Sequence, residues 1–164
     1  MTTPRILVTG TGGQVGGELA RLLPPHGEIV ACDRATLDLA DPDAIVATMR
    51  RVRPDVVVNA GAYTAVDLAE RERDGAFAVN ARAPQVIAEE AKRTGALLVH
   101  YSTDYVFDGR ATTPYDEDAP TRPLNAYGES KLAGEQAIAA TGAAALVLRT
   151  SWVYGLTGKN FLRT

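Results

Sequence analysis

The sequence predicts an α/β protein built on a Rossmann-like doubly wound parallel sheet of about five strands, with helices on both faces. Short apolar runs alternate with longer amphipathic stretches along nearly all of its 164 residues, a pattern typical of βαβ units. The short runs are rich in Val, Ile and Leu and lack polar alternation, as expected of strands buried on both faces. A chain of this length can bury the core of one globular domain.

The elements follow in chain order from these patterns. The predicted strands are residues 6–9, 28–33, 55–59, 97–102 and 145–150. The predicted helices are residues 14–23, 42–51, 66–70, 75–94 and 125–141. Pro42 suits a first helical turn, with Asp41 before it as the cap, and Pro84 suits a first turn or a tolerated kink. Helix stops are expected at three glycines, namely Gly27, Gly95 and Gly142.

One segment, residues 104–124, breaks the alternation. It contains Gly109, Pro114, Pro120 and Pro123 and is too long for an ordinary connection between a strand and a helix. Ligands of open α/β sheets bind at the carboxyl ends of the strands, where this segment begins. We therefore expect the segment to contribute to function.

Composition excludes several classes of protein. Seventeen Lys and Arg stand against 20 Asp and Glu, and a net charge of −3 gives no general attraction for nucleic acid or anionic lipid. The basic run Arg50, Arg51 and Arg53 is typical of a solvated helix end. Cys32 is the only cysteine, which favours a reducing compartment, and the cytoplasm is expected. No signal-peptide pattern, membrane span or metal-ligand spacing is recognisable, so no membrane partner and no metal site are expected.

A glycine-rich turn follows the first strand and opens the first helix. Glycine suits a tight turn and a close backbone approach to a pyrophosphate, which would face the positive end of the helix dipole. A glycine-rich turn without a ligand is the alternative. The candidate cofactor-binding residues here are Gly10, Gly12, Gly13, Gln14, Val15 and Gly16.

The end of the second strand supplies candidates for the adenosine side of a dinucleotide. Asp33 can accept hydrogen bonds from a ribose, which favours NADH, whereas Arg34 can meet the 2′-phosphate of NADPH. Asp38 and Leu39 are a second candidate pair, for the adenine amino group and ring face. For Asp38, capping or solvation is the competing interpretation, and the choice of cofactor stays open.

Tyr127 and Lys131 lie one helical turn apart on the same face of the last predicted helix. A lysine ammonium near a tyrosine hydroxyl favours the phenolate, so we expect the tyrosine pKa to be lowered from about 10. A tyrosine tuned in this way can exchange a proton with a substrate oxygen. The pair is therefore the predicted reaction centre.

Two hydroxyls end the fourth strand, those of Ser102 and Thr103. A hydroxyl at this level can hydrogen-bond a substrate carbonyl and stabilise a developing alkoxide. Because side chains alternate along a strand, only one of the two should face the site, and the residues alone leave the choice open.

Together, the glycine turn, the Tyr127/Lys131 pair and the strand-end hydroxyl resemble the extended short-chain dehydrogenase/reductase superfamily. Within it, the chain resembles the dTDP-4-dehydrorhamnose reductase family over nearly its whole length. Five segments carry that resemblance, residues 10–16, 59–67, 102–109, 125–131 and 149–155. Leu68 departs from the family pattern, where a lysine commonly stands.

The resemblance implies roles for individual residues. The implied catalytic set is Thr103 as hydrogen-bond donor to the carbonyl, Tyr127 as proton donor and Lys131 as its electrostatic partner and a ligand of the nicotinamide ribose. It implies that the cofactor is also lined by Ala60, Gly61 and Ala62. The implied contacts to the sugar come from Asp104, Tyr105 and Trp152, although a lone tryptophan is more often a core residue.

The resemblance also implies an activity, namely reduction of the 4-keto group of the nucleotide sugar dTDP-4-dehydrorhamnose by NADH or NADPH to give dTDP-L-rhamnose. The alternatives are another extended-family reductase or epimerase acting on a different nucleotide sugar, and a non-catalytic subunit resembling the methionine adenosyltransferase beta subunit. A homodimer and Mg²⁺ are implied by family analogy only. Because the family runs to about 300 residues, we expect residues 1–164 to be its NAD(P)-binding Rossmann domain without the carboxyl-terminal substrate-binding lobe.

Overall fold

A computed structural model describes residues 3–158, 160 and 161 of the chain. Its five strands form one parallel sheet in the order β2-β1-β3-β4-β5. The strands are β1 (Arg5–Thr9), β2 (Glu28–Cys32), β3 (Val56–Asn59), β4 (Leu97–Thr103) and β5 (Ala145–Thr150). The predicted doubly wound α/β fold is confirmed.

Helices fill the connections. The α-helices are α1 (Gln14–Leu22), α2 (Pro42–Val52), α3 (Val66–Ala69), α4 (Arg73–Phe77), α5 (Ala83–Thr94) and α6 (Ala126–Thr141). Short 3₁₀ helices span Pro24–His26 and Asp104–Val106, and one π-helical turn spans Ala78–Arg82. Each predicted strand and helix is present within two residues of its expected ends.

The sheet buries apolar side chains on both faces. Leu7, Val57 and Leu98 point from three neighbouring strands into the larger core, which also contains side chains of α2, α5 and α6. Ile6 and Val58 point to the opposite face, where α1 packs. The central strands are therefore covered on both sides, while β2 and β5 at the edges are partly exposed.

The predicted caps are largely confirmed. Asp41 accepts hydrogen bonds from the first two free N–H groups of α2 at 2.9 and 3.1 Å. Gly95 and Gly142 end α5 and α6 in the left-handed conformation. The expectation for Gly27 is wrong, because α1 ends at Leu22 and a 3₁₀ turn intervenes. Gly27 is extended and follows that turn.

A π-helical turn joins α4 to α5, so that one continuous helix runs over residues 73–94. Pro84 has no N–H to donate and its ring crowds the preceding turn, which a regular α-helix interior does not tolerate. The wider turn just before Pro84 absorbs this defect without ending the helix. Pro84 therefore marks a bulge within a predicted helix rather than its start.

The irregular segment after β4 is tied to the body of the protein. The Phe107 and Tyr115 rings stack at 4.2 Å, and Tyr115 donates a hydrogen bond to Asp108 at 3.0 Å. The Arg149 guanidinium of β5 lies over Phe107 and donates to the Glu117 carbonyl oxygen at 3.3 Å. The segment thus lies against the carboxyl half of β5.

The direction of winding reverses between β1 and β3, because α1 covers one face of the sheet and α2 the other. Open α/β sheets bind their ligands in the crevice at such a reversal, beyond the carboxyl ends of the strands. Among the helices described, none combines the length and apolar character needed to cross a bilayer.

Candidate active site

The glycine turn lies at the reversal point. Gly10 has a positive φ of 69°, and a Cβ on it would lie 2.5 Å from the Gly61 backbone, just beyond β3. The Thr11 N–H donates to the Cys32 carbonyl at 3.1 Å, which holds the turn against β2 as well. The turn is therefore packed between its two neighbouring strands.

The start of α1 is open to a ligand. Gly13 occupies the N-cap position and has no side chain with which to cap the first turn of the helix. Gly12 and Gly13 are exposed, and a Cβ on Gly12 would meet only the Asp33 Cβ, at 3.9 Å. Internal packing gives no reason for glycine at position 12. A pyrophosphate against the uncapped helix start gives one, so these residues fit a dinucleotide.

The other residues of the turn have internal contacts. Gly16 is buried, and a Cβ there would lie 2.3 Å from the Gly10 carbonyl oxygen. Val15 is partly buried in the first turn of α1. The Gln14 side chain accepts a hydrogen bond from Asn160 at 2.8 Å.

The adenosine-side candidates lie at the end of β2 and beyond. Asp33 accepts hydrogen bonds from the Thr36 N–H and hydroxyl at 2.9 and 2.8 Å, and these bonds lower the pKa of its carboxyl. Asp38 is exposed and accepts from the Ala40 N–H, so its local role is a turn cap, as the competing interpretation held. Leu39 is buried against the space beside Gly61.

Ala60, Gly61 and Ala62 follow β3 and are all partly buried. Gly61 donates its N–H to the Thr9 hydroxyl at 3.3 Å. This strip therefore forms one wall of the crevice at the reversal point, opposite the glycine turn.

The two hydroxyls at the end of β4 face different surroundings. Ser102 donates a short hydrogen bond to Glu135, and the same carboxylate pairs with Arg149 at 2.7 Å. The Thr103 hydroxyl lies close enough to Tyr127 to act on its pKa, and it donates to Asp104 at 3.2 Å. Strand alternation thus brings Thr103, and not Ser102, to the tyrosine.

Tyr127 and Lys131 are carried by α6, whose start is fixed from two sides. The Asn125 side chain caps the helix by accepting from the Gly128 N–H at 2.8 Å. The Ala126 N–H donates to the Glu70 carboxylate at 2.7 Å. A carboxylate at this position also complements the helix dipole.

The expected lowering of the Tyr127 pKa is wrong for this structure. Burial raises the pKa above its ordinary value of 10.0, and the charge of Asp104 acts in the same direction, whereas the nearby Thr103 hydroxyl acts to lower it. Lys131 does not offset this, because its ammonium points to β4 and donates to the Tyr101 carbonyl at 2.6 Å. Tyr127 therefore keeps its proton at neutral pH.

Lys131 is unusually deep for a lysine, with only 2% of its surface exposed. Burial lowers its pKa from 10.5 to about 8, although the charge of Glu135 acts in the opposite direction. Its Nζ lies 3.5 Å from His100 Nε2. Burial and the charge of Lys131 hold the His100 pKa well below its ordinary value, so the imidazole is neutral.

The candidate sugar contacts lie at the open rim. Asp104 is held between Thr103 and the Ser151 hydroxyl, which donates to it at 2.7 Å. The ring of Tyr105 meets the Tyr127 ring edge to face at 5.5 Å. Trp152 is 77% exposed and in a left-handed conformation, so the core position expected of a lone tryptophan is wrong.

Four buried polar residues near the site escaped the sequence-based prediction. Asn80, in the π-helical turn, bonds both backbone groups of Tyr63 and donates to Ser130 of α6 at 3.0 Å. Thr9, Asn59 and His100 lie side by side on three neighbouring strands. The available signal was a polar residue inside or at the end of each apolar strand. Within the described part of the chain, no cluster of His, Cys, Asp or Glu could hold a metal ion.

Known proteins resemble the chain over nearly its whole length. The model of the RmlD substrate binding domain family matches residues 4–164. The Burkholderia thailandensis dTDP-4-dehydrorhamnose reductase is 54% identical over 160 residues, which cover 98% of this chain and 54% of that protein. A Streptomyces antibioticus protein named "Probable dTDP-4,6-dihydroxy-2-methyloxan-3-one 4-ketoreductase" is 48% identical over 98% of this chain and 55% of its own length.

A solved structure of a protein with the same name as the first of these relatives has a similar fold. The Bacillus anthracis dTDP-4-dehydrorhamnose reductase in complex with NADP superposes with a TM-score of 0.94 at 38% identity, over 98% of this chain and 58% of that one. The chain spans about half the length of the curated relatives it matches.

Proposed function

We propose a function from the premise that the chain belongs to the RmlD substrate binding domain family. The chain supplies the dinucleotide site and the proton-transferring residues of an NAD(P)H-dependent reductase. The substrate is the nucleotide sugar dTDP-4-dehydrorhamnose, whose 4-keto group is reduced to give dTDP-L-rhamnose. The observation that carries the proposal is the proximity of Thr103 to a protonated Tyr127. Both lie at the carboxyl ends of the strands, where the open glycine turn also lies.

The dinucleotide binds across the reversal point. The uncapped start of α1 and the exposed Gly12 and Gly13 receive the pyrophosphate, and Asp33 binds the adenosine ribose. Gly61 and its neighbours line the path towards β4. Bound NADH or NADPH supplies the hydride that reduces the carbonyl carbon.

Two hydroxyls activate the carbonyl oxygen. The Thr103 hydroxyl lies near that of Tyr127, and a carbonyl oxygen that enters between them accepts a hydrogen bond from each once Thr103 turns its hydrogen from Asp104 to the substrate. Reduction requires a proton for that oxygen as the hydride arrives at the carbon. The raised pKa of Tyr127 keeps the phenol protonated until that moment, and the developing alkoxide is basic enough to take its proton.

Lys131 acts next to this pair. A pKa of about 8 leaves most of its side chain charged at neutral pH. Family resemblance assigns it to the nicotinamide ribose, and an ammonium at that position also favours the phenolate that remains after proton transfer. Asp104, Tyr105 and Trp152 at the rim contact the sugar.

The identity of the nucleotide sugar is the most specific part of the proposal. The Streptomyces antibioticus relative carries a different 4-ketoreductase name at 48% identity, so the position of the reduced carbonyl is better supported than the identity of the sugar. A cytoplasmic location is part of the proposal, in keeping with the buried free thiol of Cys32. A homodimer stays a prediction.

The test is to follow the oxidation of NADH or NADPH by absorbance after adding dTDP-4-dehydrorhamnose to the enzyme that carries this chain. Tyr127→Phe is expected to lower kcat by about 10²–10⁴-fold while nucleotide binding persists, because only the proton donor is removed. Ser102→Ala is the matched control, since that hydroxyl faces Glu135. Undiminished turnover in Tyr127→Phe would falsify the mechanism, and oxidation with other keto sugars only would replace the substrate.

A further inference from the structure

A row of three polar side chains crosses the centre of the sheet. Thr9, Asn59 and His100 are register partners on β1, β3 and β4, and each is at most 1% exposed. The equivalent row two residues earlier is Leu7, Val57 and Leu98, so the polar row lies where the apolar core face ends, at the carboxyl ends of β1 and β3. Burying polar groups carries a free-energy cost that is offset only when they are hydrogen-bonded.

The hydrogen bonds of the row run in one direction. The Gly61 N–H donates to the Thr9 hydroxyl at 3.3 Å, and Thr9 donates to Asn59 Oδ1 at 2.7 Å. Since the Asn59 oxygen is an acceptor, its Nδ2 group is left to donate to His100 Nδ1, at 3.0 Å. The neutral imidazole therefore carries its proton on Nε2, the atom 3.5 Å from Lys131 Nζ.

This tautomer limits what Lys131 can do. A protonated Nε2 cannot accept a hydrogen bond from the ammonium, so it closes one side of Nζ to donation. The Tyr101 carbonyl takes one ammonium hydrogen at 2.6 Å. Two of the three ammonium hydrogens are thereby left for other acceptors, and in the proposed function the nicotinamide ribose supplies them.

We propose that His100 is a positioning residue for Lys131, held in one tautomer by Asn59 and Thr9. The inference deepens the proposed function and rests on it. The row begins at Gly61, which touches the glycine turn at Gly10, and ends at Lys131. It therefore runs from the pyrophosphate end of the cofactor site to the catalytic end. Hydrogen bonds link Gly61 to His100, and the last step is the 3.5 Å approach of His100 Nε2 to Lys131 Nζ.

Two substitutions separate positioning from packing. His100→Asn keeps an acceptor near the Nδ1 position for Asn59 but removes the group that faces Lys131. His100→Gln places an amide near the Nε2 position. We expect His100→Asn to lower kcat by at least about tenfold with little change in melting temperature, and His100→Gln to restore part of the loss.

A second readout needs no substrate. The Lys131 side-chain pKa, followed by ¹³C NMR of its ε-carbon, is expected to rise from about 8 in His100→Asn, because the shorter side chain leaves room for water and removes the N–H dipole facing Nζ. The charge of Glu135 on α6 also acts on the Lys131 pKa, and both variants keep Glu135 and Tyr127. His100→Gln should return the pKa towards the wild-type value.

Different outcomes test the role of His100 and the proposed function separately. Unchanged kcat and unchanged Lys131 pKa in a folded His100→Asn variant overturn the proposal. If that variant does not fold, ¹⁵N NMR of wild-type His100 decides, because a proton on Nδ1 would contradict the arrangement. A wild-type enzyme that oxidises no cofactor refutes the proposed function, whereas the NMR readouts still test the link between His100 and Lys131.

Discussion

The two ends of the sheet handle buried charge in opposite ways. At the amino-terminal end of the strands, Glu90 is nearly buried and accepts hydrogen bonds from Arg50 and Arg93 at 2.9 and 2.7 Å, which lower its pKa to about 2. At the carboxyl-terminal end, Lys131 is deeper still, and its nearest side-chain nitrogen belongs to the neutral His100. Burial lowers the Lys131 pKa to about 8.

The sign of each shift shows what the charge does for the fold. A lowered carboxyl pKa means that the folded state favours the charged form, so the Glu90 cluster stabilises the protein at neutral pH. A lowered lysine pKa means that the folded state disfavours the charged form, so Lys131 destabilises it. Groups whose burial opposes folding cluster at functional sites, which agrees with the proposed reaction centre.

Removing the lysine should produce the largest change in stability. A shift of the Lys131 pKa from 10.5 to about 8 corresponds to about 3 kcal/mol. Below pH 8 the wild type carries this cost in full, and it disappears as the pH rises from about 8 to 10.5, where the folded chain has already lost the proton that the unfolded chain still holds. Lys131→Met lacks that dependence.

The measurement is urea unfolding of both proteins at pH 7, 8.5 and 10. The free energy of unfolding of the wild type should gain on that of Lys131→Met as the pH rises. Lys92→Met is the matched control, because Lys92 is exposed and donates only to the Thr141 carbonyl at the surface. A difference between wild type and Lys131→Met that stays constant over this range would contradict the depressed pKa.

Local patterns explain how much of this was predictable. The strands, the caps at Asp41 and Gly95 and the spacing of Tyr127 and Lys131 by one turn of α6 follow from nearby residues, and the structure contains them all. The Tyr127 pKa and the choice between Ser102 and Thr103 depend on burial and on which groups lie opposite, and these are set by tertiary contacts.

The row formed by Thr9, Asn59 and His100 likewise depends on tertiary contacts that the sequence alone does not reveal. Thr9 and His100 lie more than 90 residues apart in sequence and come together only through the strand order β1-β3-β4. Each could be noticed alone as a polar residue in or after an apolar run. Their register could not, because it requires knowing which strands are neighbours.

Two glycines of the turn at the carboxyl ends of the strands have different roles. We expect one to matter for stability and the other for nucleotide binding. A Cβ on Gly16 would lie 2.3 Å from the Gly10 carbonyl oxygen, and backbone atoms cannot move aside easily, so Gly16→Ala should lower the free energy of unfolding by about 1–3 kcal/mol. A Cβ on Gly12 has space, so Gly12→Ala should change stability by less than about 0.5 kcal/mol.

For nucleotide binding, we expect the larger effect from the variant that barely changes stability, Gly12→Ala. Gly12→Ala places a methyl group where the pyrophosphate approaches, and we expect NADPH affinity, measured by fluorescence titration, to fall at least about tenfold. Tight NADPH binding by a stable Gly12→Ala variant would argue against the assigned phosphate site. Each variant serves as the control for the other.

A smaller loss of stability than that predicted for the lysine is expected from Glu90→Gln, at the opposite end of the strands. Because both arginines are more than half exposed, the pKa shift of Glu90 overstates the stabilisation, and we expect a loss of about 1–2 kcal/mol at pH 7. A lowered carboxyl pKa gives stability that is present above about pH 4.5 and is lost as the pH falls towards 2. The wild type and Glu90→Gln should therefore converge in acid.

Glu89→Gln is the neighbouring control, since Glu89 is exposed and accepts only from Gln85 at 2.9 Å. Added salt should narrow the difference between wild type and Glu90→Gln, because the arginine partners are open to solvent. NADPH affinity should stay unchanged, as the cluster lies at the far end of the strands from the glycine turn. A loss of affinity in Glu90→Gln at pH 7 would mean that the two ends of the sheet are coupled, and stability and binding would then no longer separate along the strands.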